Sequence, residues 1–174
     1  MTLPEKAKLF ATAAHAGQMR KYTGDPYITH AAAVVAIVRT VPHTDAMLAA
    51  AWLHDVVEDT PVTLDAIRRE FGDHVAELVD WLTSVSCSDD GNRAARKAID
   101  RAKLAKAPPQ AQTLKLADII DNTTTIAARD PDFAPMYLAE KALLLDVLTR
   151  GDPALMKIAA CRLVDEVSIN ATGK

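Results

Sequence analysis

The segment Leu48–Thr60 constrains the fold most, because polar side chains interrupt an otherwise apolar run within it. These polar residues are His54, Asp55, Glu58 and Asp59. Positions i and i+4 share one face of a helix, so the spacing predicts that each of the first two residues stacks over one of the last two. A solvated acidic helix end is the ordinary interpretation. We favour a divalent cation, since carboxyl and imidazole groups beside a hydrophobic helix are costly to bury without a partner.

The rest of the sequence predicts an all-α chain. Helix starts are marked by Thr2, which forms a capping-box spacing with Glu5, and by Thr44 and Thr63. Further helices are expected over about 28–41, 92–107, 111–128 and 134–150, with a last one opened by Pro153. A length of 174 residues fits one domain, and we see no internal repeat or linker. We therefore expect a single helical domain over residues 1–174.

Composition narrows the class of protein. The net charge of −3 argues against a protein that binds long nucleic acid through a broad basic surface. Cys87 and Cys161 lie far apart in the sequence, which favours reduced thiols over a disulfide or a metal-binding pair. We find no membrane-spanning run and no signal-peptide pattern, so we expect a cytoplasmic protein that does not bind membranes. The sequence does not predict the oligomeric state.

Three further segments carry polar residues that an apolar helical core does not need. In the first, residues 15–30, His30 falls in the opening turn of a predicted apolar helix, where a lone histidine is more often a satisfied core or capping residue. In the second, residues 115–125, Asp118 and Asn122 share a helix face, and an isolated aspartate among Leu, Ala and Ile needs a partner. The third is the basic helix over 92–107, and such a run is usually a solvated face.

Taken together, these segments favour a metal site. His30, His54, Asp55 and Asp118 would supply two imidazoles and two carboxylates from three separate helices. This set is too rich in oxygen for a closed structural zinc site, and it suits Mn²⁺ or a similar ion with open positions. Such an ion can activate a bound water. Glu58 and Asp59, one turn further along, are then the candidates that orient or deprotonate the water.

Three motifs, in this order and spacing, resemble those of the RelA/SpoT hydrolase domain, a branch of the HD phosphohydrolases. The resemblance spans about residues 5–130. The matching residues are His15-x-Gly17-Gln18-x-Arg20-Lys21 with Gly24-x-Pro26-Tyr27-Ile28-x-His30, then His54-Asp55-x-x-Glu58-Asp59, and then Lys115-Leu116-Ala117-Asp118 followed by Asn122.

The resemblance implies an all-α HD-domain helical bundle that holds one Mn²⁺ and removes the 3′-pyrophosphate of (p)ppGpp, giving GDP or GTP. It makes His30, His54, Asp55 and Asp118 the metal ligands and Glu58 and Asp59 the pair that acts on water. Arg20 and Lys21 would lie against the guanine base, and Asn122 and Thr125 would contact the nucleoside. Arg93, Arg96 and Lys97 of the basic helix are candidates for neutralising phosphate charge. The chain has no room for the synthetase domain of longer relatives, so we expect a stand-alone small alarmone hydrolase.

The chain departs from the family pattern at Ala31, Ile119 and Asp121, none of which is a predicted ligand. A missing arginine and an added carboxylate beside Asn122 bear on which base is accepted. The same centre could therefore act on ppApp or on the 2′-phosphate of NADPH. A catalytically inactive nucleotide-binding domain is another alternative, but it would be expected to lack some of the predicted metal ligands. A nucleoside 5′-phosphatase is a further alternative, and it would not need the Arg20-Lys21 motif.

Overall fold

The computed structural model describes residues 1–124 and 126–172. Within these ranges the regular structure is helical, and an isolated antiparallel bridge between Met19 and Pro26 is the one β feature. The all-α prediction is therefore confirmed. The chain divides into two compact units, Met1–Ser84 and Val85–Lys174. A single domain over residues 1–174 stays a prediction.

The first unit is built around α3, a helix that is buried on all sides. Its residues from Met47 to Leu53 are all buried, as expected for a helix that is apolar around its whole circumference. Helices α1, α2 and α6 pack against it, and three consecutive alanines, residues 49–51, allow close approach. The helices of this unit are α1 (Leu3–Ala14), α2 (Ile28–Val38), α3 (Asp45–Leu53), α4 (Val56–Asp59), α5 (Leu64–Phe71) and α6 (Asp73–Leu82).

The helix starts predicted in this unit are confirmed. Thr2 and Glu5 form a capping box, in which the Thr2 amide donates to Glu5 Oε2 at 2.7 Å. The hydroxyl oxygens of Thr44 and Thr63 each accept a hydrogen bond, at 3.2 Å, from the amide three residues later. These caps satisfy amides that the first turn of a helix leaves without an intrahelical partner.

In the second unit, α8 is the buried helix. It packs against α10 and α11, and its residues Ala111, Leu116 and Ile119 are fully buried. Gly151 lies close against it, because an added Cβ there would be 2.6 Å from Leu116 Cδ1. The helices here are α7 (Arg93–Leu104), α8 (Pro109–Thr123), α9 (Ile126–Arg129), α10 (Ala134–Leu145) and α11 (Pro153–Thr172), and a 3₁₀ helix covers Ser88–Asp90.

Several helices are shorter than the sequence predicts. The helix expected over 28–41 ends at Val38, and the one expected over 134–150 ends at Leu145. The helix expected over 111–128 is two helices, α8 and α9. The physical reason is the run of threonines: Thr124 leaves the helical region with ψ of 123°, and its hydroxyl donates to the Ile120 carbonyl at 2.9 Å. No helix in the described ranges has both the length and the apolar composition needed to cross a membrane.

Candidate metal centre

Three side chains of the first unit converge on one point. His30 Nε2 lies 3.2 Å from His54 Nε2 and 3.5 Å from Asp55 Oδ2, and His54 Nε2 lies 2.9 Å from the same carboxylate oxygen. Both histidines are buried and Asp55 is half-buried. Their ligand atoms all lie within 4.8 Å of one another, close enough to bind a single metal ion. The structure thus brings together three of the four ligands that the sequence predicts.

The convergence depends on a break in the helix, which the sequence analysis did not predict. We expected one helix to carry His54, Asp55, Glu58 and Asp59, but α3 ends at Leu53 and α4 begins at Val56. Consecutive residues of a regular helix point about 100° apart and do not face each other. Asp55, with φ of −101° and ψ of −5°, departs from helical geometry. This turn lets two neighbouring side chains reach the same point, so the prediction of a continuous helix was wrong.

The backbone fixes which nitrogen of His54 faces the cluster. His54 Nδ1 lies 2.9 Å from the Ala51 carbonyl oxygen. A carbonyl can only accept, so Nδ1 carries the proton and the lone pair of the neutral ring lies on Nε2. That lone pair points toward a second imidazole nitrogen and a carboxylate oxygen, which is the donor set that divalent cations bind. An orienting bond from the remote nitrogen is also typical of metal-binding histidines, so the residues fit a metal ion.

Tyr27 holds the carboxylate of this cluster in place. Its hydroxyl donates to Asp55 Oδ2 at 2.5 Å, across 28 residues of sequence. The Tyr27 ring also packs between His15 and His30, with ring centroids 4.7 and 5.6 Å away. The sequence analysis assigned Tyr27 only to a motif and missed this contact. A tyrosine three positions before a buried histidine carries no sequence signal for a partner so far along the chain.

Glu58 and Asp59 are exposed and their carboxylates are held by two different segments. The two oxygens of Glu58 accept from the backbone amide and the hydroxyl of Ser84, both at 3.1 Å. Asp59 Oδ2 accepts from Gln18 Nε2 at 3.1 Å, and Gln18 Oε1 lies 2.7 Å from His15 Nδ1. Ser84 and Gln18 were not among the predicted site residues. These contacts fix two carboxylates that remain open to water.

Arg20 and Lys21 lie on a tight hairpin that joins α1 to α2. The amide of Arg20 donates to the Asp25 carbonyl at 2.8 Å, and the amide of Gly24 donates to the Arg20 carbonyl at 3.0 Å. Gly24 has φ of 72°, a conformation that other residues rarely adopt. The ammonium of Lys21 contacts Tyr22, 4.6 Å from its ring centroid. Arg20 is half-buried and Lys21 is exposed, and their role at the base stays a prediction.

The second unit contains Asp118 and Asn122, on one face of α8. Asp118 is buried; its Oδ2 accepts from Lys115 Nζ at 2.6 Å and its Oδ1 accepts from Asn122 Nδ2 at 2.5 Å. The shared face of Asp118 and Asn122 follows from their spacing, whereas Lys115 was not predicted as a partner. Asp118 as the fourth metal ligand stays a prediction. Thr125, the other predicted nucleoside contact, lies outside the described residues.

Of the three basic residues predicted to contact phosphate, Arg93 already binds a carboxylate. Its guanidinium donates to both oxygens of Glu140, at 2.7 and 2.9 Å, and lies 5.4 Å from the Phe133 ring centroid. These bonds raise the pKa of Arg93 above its ordinary value. Arg96 is half-buried and Lys97 is exposed on the same helix, α7.

Lys141 is a further cation of this unit that the sequence analysis did not identify. Its ammonium lies 4.8 Å from the Tyr137 ring centroid on α10. Burial, and then repulsion from the ammonium of Lys115, lower the pKa of Lys141 from its ordinary 10.5 to about 8, although Asp118 opposes the shift. A lysine within an apolar helical stretch gives no sequence signal for such a setting.

Comparison with curated relatives supports the resemblance seen in the motifs. A probable GTP pyrophosphokinase of Mycobacterium leprae is 38% identical over 133 residues, which are 76% of this chain and 17% of that protein. The bifunctional (p)ppGpp synthase/hydrolase SpoT of Escherichia coli is 37% identical over 130 residues, 73% of this chain and 18% of that protein. A probable guanosine-3′,5′-bis(diphosphate) 3′-pyrophosphohydrolase of Synechocystis is 38% identical over 130 residues, with 73% and 17% coverage. The chain spans less than a fifth of these relatives.

Solved structures share the fold along nearly the whole chain. A structure described as a metazoan ortholog of SpoT that hydrolyses ppGpp has a TM-score of 0.85 and 25% identity, covering 95% of this chain and 96% of that one. A protein of Listeria monocytogenes has a TM-score of 0.68, also at 25% identity, with 83% and 99% coverage. The HD domain family matches residues 7–145, a region that contains all three converging side chains. The chain therefore belongs to the HD domain family.

Proposed function

We propose that this protein is a Mn²⁺-dependent hydrolase that removes the 3′-pyrophosphate from (p)ppGpp and releases GDP or GTP. The observation that carries the proposal is the convergence of His30, His54 and Asp55, because it joins three metal-ligand side chains within the region matched by the HD domain family. A helical core has no need for such a cluster, and its burial is costly without a cation.

The substrate class rests on the relatives. Several are named as 3′-pyrophosphohydrolases of guanosine bis(diphosphate), and a protein that hydrolyses ppGpp shares the fold over 96% of its length. Other relatives are named for synthesis, and this chain covers 17% and 14% of two of them, much as it covers 17% and 19% of the two named as hydrolases, so the solved hydrolase matched over 96% of its length decides between the two activities. Hydrolysis is thus better supported than synthesis. We further propose a nucleotide substrate, one ion per site and a cytoplasmic location, as the sequence predicts.

We assign the cation to His30, His54 and Asp55, with Asp118 as fourth ligand. A carboxylate has about four lone-pair sites, and the bonds from Lys115 and Asn122 use two of those on Asp118. Asp118 therefore keeps acceptor capacity. When bound, the cation would supply a Lewis acid that polarises phosphate oxygens and lowers the pKa of water. The mixed nitrogen and oxygen ligands suit Mn²⁺.

We assign the attacking water to Glu58 and Asp59. Both carboxylates are exposed, so water can reach them, and both are held by hydrogen bonds that limit their rotation. A carboxylate fixed in this way can accept the proton of a water as it attacks phosphorus. The anchors, Ser84 and Gln18, thus act as positioning residues.

The remaining assignments concern the nucleotide. Arg20 and Lys21 would lie against the base, where a planar guanidinium can stack. Asn122 and Thr125 would contact the nucleoside. Among the basic residues of α7, Arg96 and Lys97 are the better candidates for phosphate, because the Arg93 guanidinium is occupied by Glu140.

The test is the release of pyrophosphate and of orthophosphate, measured separately, by the full chain with Mn²⁺, using ppGpp, ppApp and NADPH side by side. We expect pyrophosphate from ppGpp, and we expect His54→Ala or Asp55→Ala to fall to the background rate because the metal is lost. Glu58→Gln is the matched variant, since it leaves the ligands intact. It should keep Mn²⁺ affinity, measured by calorimetry, and lose turnover by about 10²–10⁴-fold.

Three outcomes would contradict parts of the proposal. Release of single phosphates only would exclude 3′-pyrophosphate hydrolysis. Full activity of Asp55→Ala would exclude the metal centre, and a wild-type rate in Glu58→Gln would exclude the role of that carboxylate. Faster turnover of ppApp or NADPH than of ppGpp would be consistent with the proposed metal centre but would contradict ppGpp as the preferred substrate.

A further inference from the structure

Helix α11 exposes a continuous strip of side chains on the face opposite its core contacts. Its inner face is formed by Leu155, Ala159 and Leu163, all buried. The outer strip recurs every three or four residues, the spacing that places residues on one helix face. It consists of Ala154, Lys157, Ile158, Cys161, Val164, Asp165 and Ser168, all of them exposed.

The outer strip is complementary to itself when one copy is reversed. Lys157 and Asp165 lie four residues on either side of Cys161, and Ile158 and Val164 lie three residues on either side. A two-fold axis beside Cys161, perpendicular to the helix, brings each residue of a pair to the same height as its counterpart in a second copy, on the opposite flank of the strip. Lysine of one copy thereby comes within reach of aspartate of the other, while isoleucine and valine lie on the two flanks of the interface, so charge meets opposite charge between apolar margins.

We propose that the outer strip of α11 is the interface of a homodimer, in which α11 packs antiparallel against α11 of a second copy around Cys161. Such an interface is isologous, with the same surface contributed by both copies. The proposal concerns assembly and is independent of the proposed catalytic activity.

The charged pair supports a second copy as the occupant. Four residues at a rise of about 1.5 Å place Lys157 and Asp165 about 6 Å on either side of the axis. The dimer therefore contains two such pairs, each joining a lysine of one copy to an aspartate of the other. Within the described ranges, neither side chain makes an ion pair or hydrogen bond in the isolated chain. A parallel arrangement would place Lys157 against Lys157, so the charges select the antiparallel one.

The apolar residues of the strip also gain a partner in this arrangement. Ile158 is 42% exposed and Val164 is 65% exposed. Val164 lies on the rim of an apolar cavity of about 750 Å³ between α10 and α11, which is lined by side chains such as Leu138, Ala142 and Leu163. Ile158 and Val164 both lie on the flanks of the proposed interface, so dimer formation would remove part of their exposed apolar surface from water.

The cysteines allow a direct test. Helix axes about 10 Å apart, with Cα atoms about 2.3 Å from each axis, bring the two Cys161 Cα atoms to about 5–6 Å, within disulfide range. Cys87 is also exposed and serves as the matched control. On mild oxidation, Cys87→Ser should form a covalent dimer rapidly, whereas Cys161→Ser should not. Sedimentation equilibrium of the reduced protein should show a concentration-dependent dimer.

Charge reversal tests the register. Lys157→Asp or Asp165→Lys should each slow Cys161 crosslinking and weaken the dimer by about tenfold, because each change turns two attractions into repulsions. The double variant should return to within about threefold of the parent protein, since it restores both opposed pairs. Circular dichroism would confirm that the variants fold.

A monomer at every concentration would overturn the proposal, as would a dimer that crosslinks through Cys87 instead. A dimer whose crosslinking is slowed by the single reversals but not restored in the double variant would also overturn it, because the two residues would then not be opposed. A monomer that binds another protein or a membrane through this face would show a different occupant.

Discussion

The two units differ in the partners of their buried polar side chains. In the first, His30, His54 and Asp55 bring their ligand atoms within 4.8 Å of one another. In the second, Asp118 is bonded to the ammonium of Lys115 and to the Asn122 amide, so its charge is balanced within the unit. The difference separates three side chains that converge on one point from a carboxylate that has a cationic partner in its own unit and keeps acceptor capacity for the proposed ion.

Other buried polar residues of the second unit follow its pattern. Asp100 accepts from the amides of Val85 and Ser86, both at 3.0 Å, and from the Ser86 hydroxyl at 2.8 Å. Burial raises the pKa of Asp100, but these hydrogen bonds outweigh burial, so its pKa lies below the ordinary value. Such a residue stabilises the fold above its unfolded pKa and loses that effect as the pH falls. Its role is structural, in contrast to the ligands of the first unit.

Gln112→Ala should produce the largest effect on folding. The side chain is fully buried; its Nε2 donates to the Leu104 carbonyl at 3.1 Å and its Oε1 accepts from the Arg150 amide at 2.8 Å. Truncation leaves two backbone groups without these partners and opens a cavity. We expect a loss of about 2–4 kcal/mol in the free energy of unfolding, measured by urea titration.

Gln110→Ala, on the same helix, is the control and should change stability by less than about 0.5 kcal/mol. If Gln112 is structural, its variant should retain the Mn²⁺ affinity of the wild type. A loss of metal affinity with little change in stability would contradict a purely structural role for Gln112.

Tyr27→Phe should have a smaller effect, and on the metal instead of the fold. The variant keeps the ring packed between His15 and His30 but removes the hydroxyl that donates to Asp55. Bonds that orient a ligand are typically worth 10–100-fold in metal affinity. We expect Mn²⁺ binding to weaken about tenfold by calorimetry, with the urea midpoint nearly unchanged. Tyr22→Phe, the same change in the hairpin, should leave Mn²⁺ affinity unchanged. If both variants lost Mn²⁺ affinity equally, the hydroxyl of Tyr27 would have no specific role at the metal centre.

The sequence predicted the helical class, the helix caps and the family, because these depend on local patterns. Thr2, Thr44 and Thr63 cap helices through bonds to residues three positions away, and such spacing is visible in a single sequence. The grouping of His30, His54 and Asp55 came from their chemistry together with the motif order. Their distances confirm that the three converge, while binding of a metal there stays a prediction.

What the sequence did not reveal depends on contacts between distant residues. The bonds from Gln18 to Asp59 and from Ser84 to Glu58 span 41 and 26 residues, and each donor looks like an ordinary loop residue. The break between α3 and α4 was missed because the composition of the segment is helical throughout. The break lets two adjacent side chains face one point, which is a tertiary arrangement that local composition does not reveal. Arg93 likewise resembled its basic neighbours, and only the fold shows its pairing with Glu140.

Lys141→Met should have the smallest effect, and it tests whether the charged side chains of the second unit balance one another. Its pKa of about 8 means that, between pH 8 and 10.5, the unfolded chain binds more protons than the folded chain. The contribution of Lys141 to the free energy of unfolding should therefore rise with pH across that window. Because Lys141 is only partly buried, we expect a gain of about 1 kcal/mol for the wild type relative to Lys141→Met, well below what full burial would give. The measurement is urea unfolding in EDTA at several pH values, with exposed Lys106→Met as the control. A difference between wild type and Lys141→Met that stays constant from pH 7 to 10.5 would mean that burial and Lys115 do not disfavour this ammonium in the folded chain.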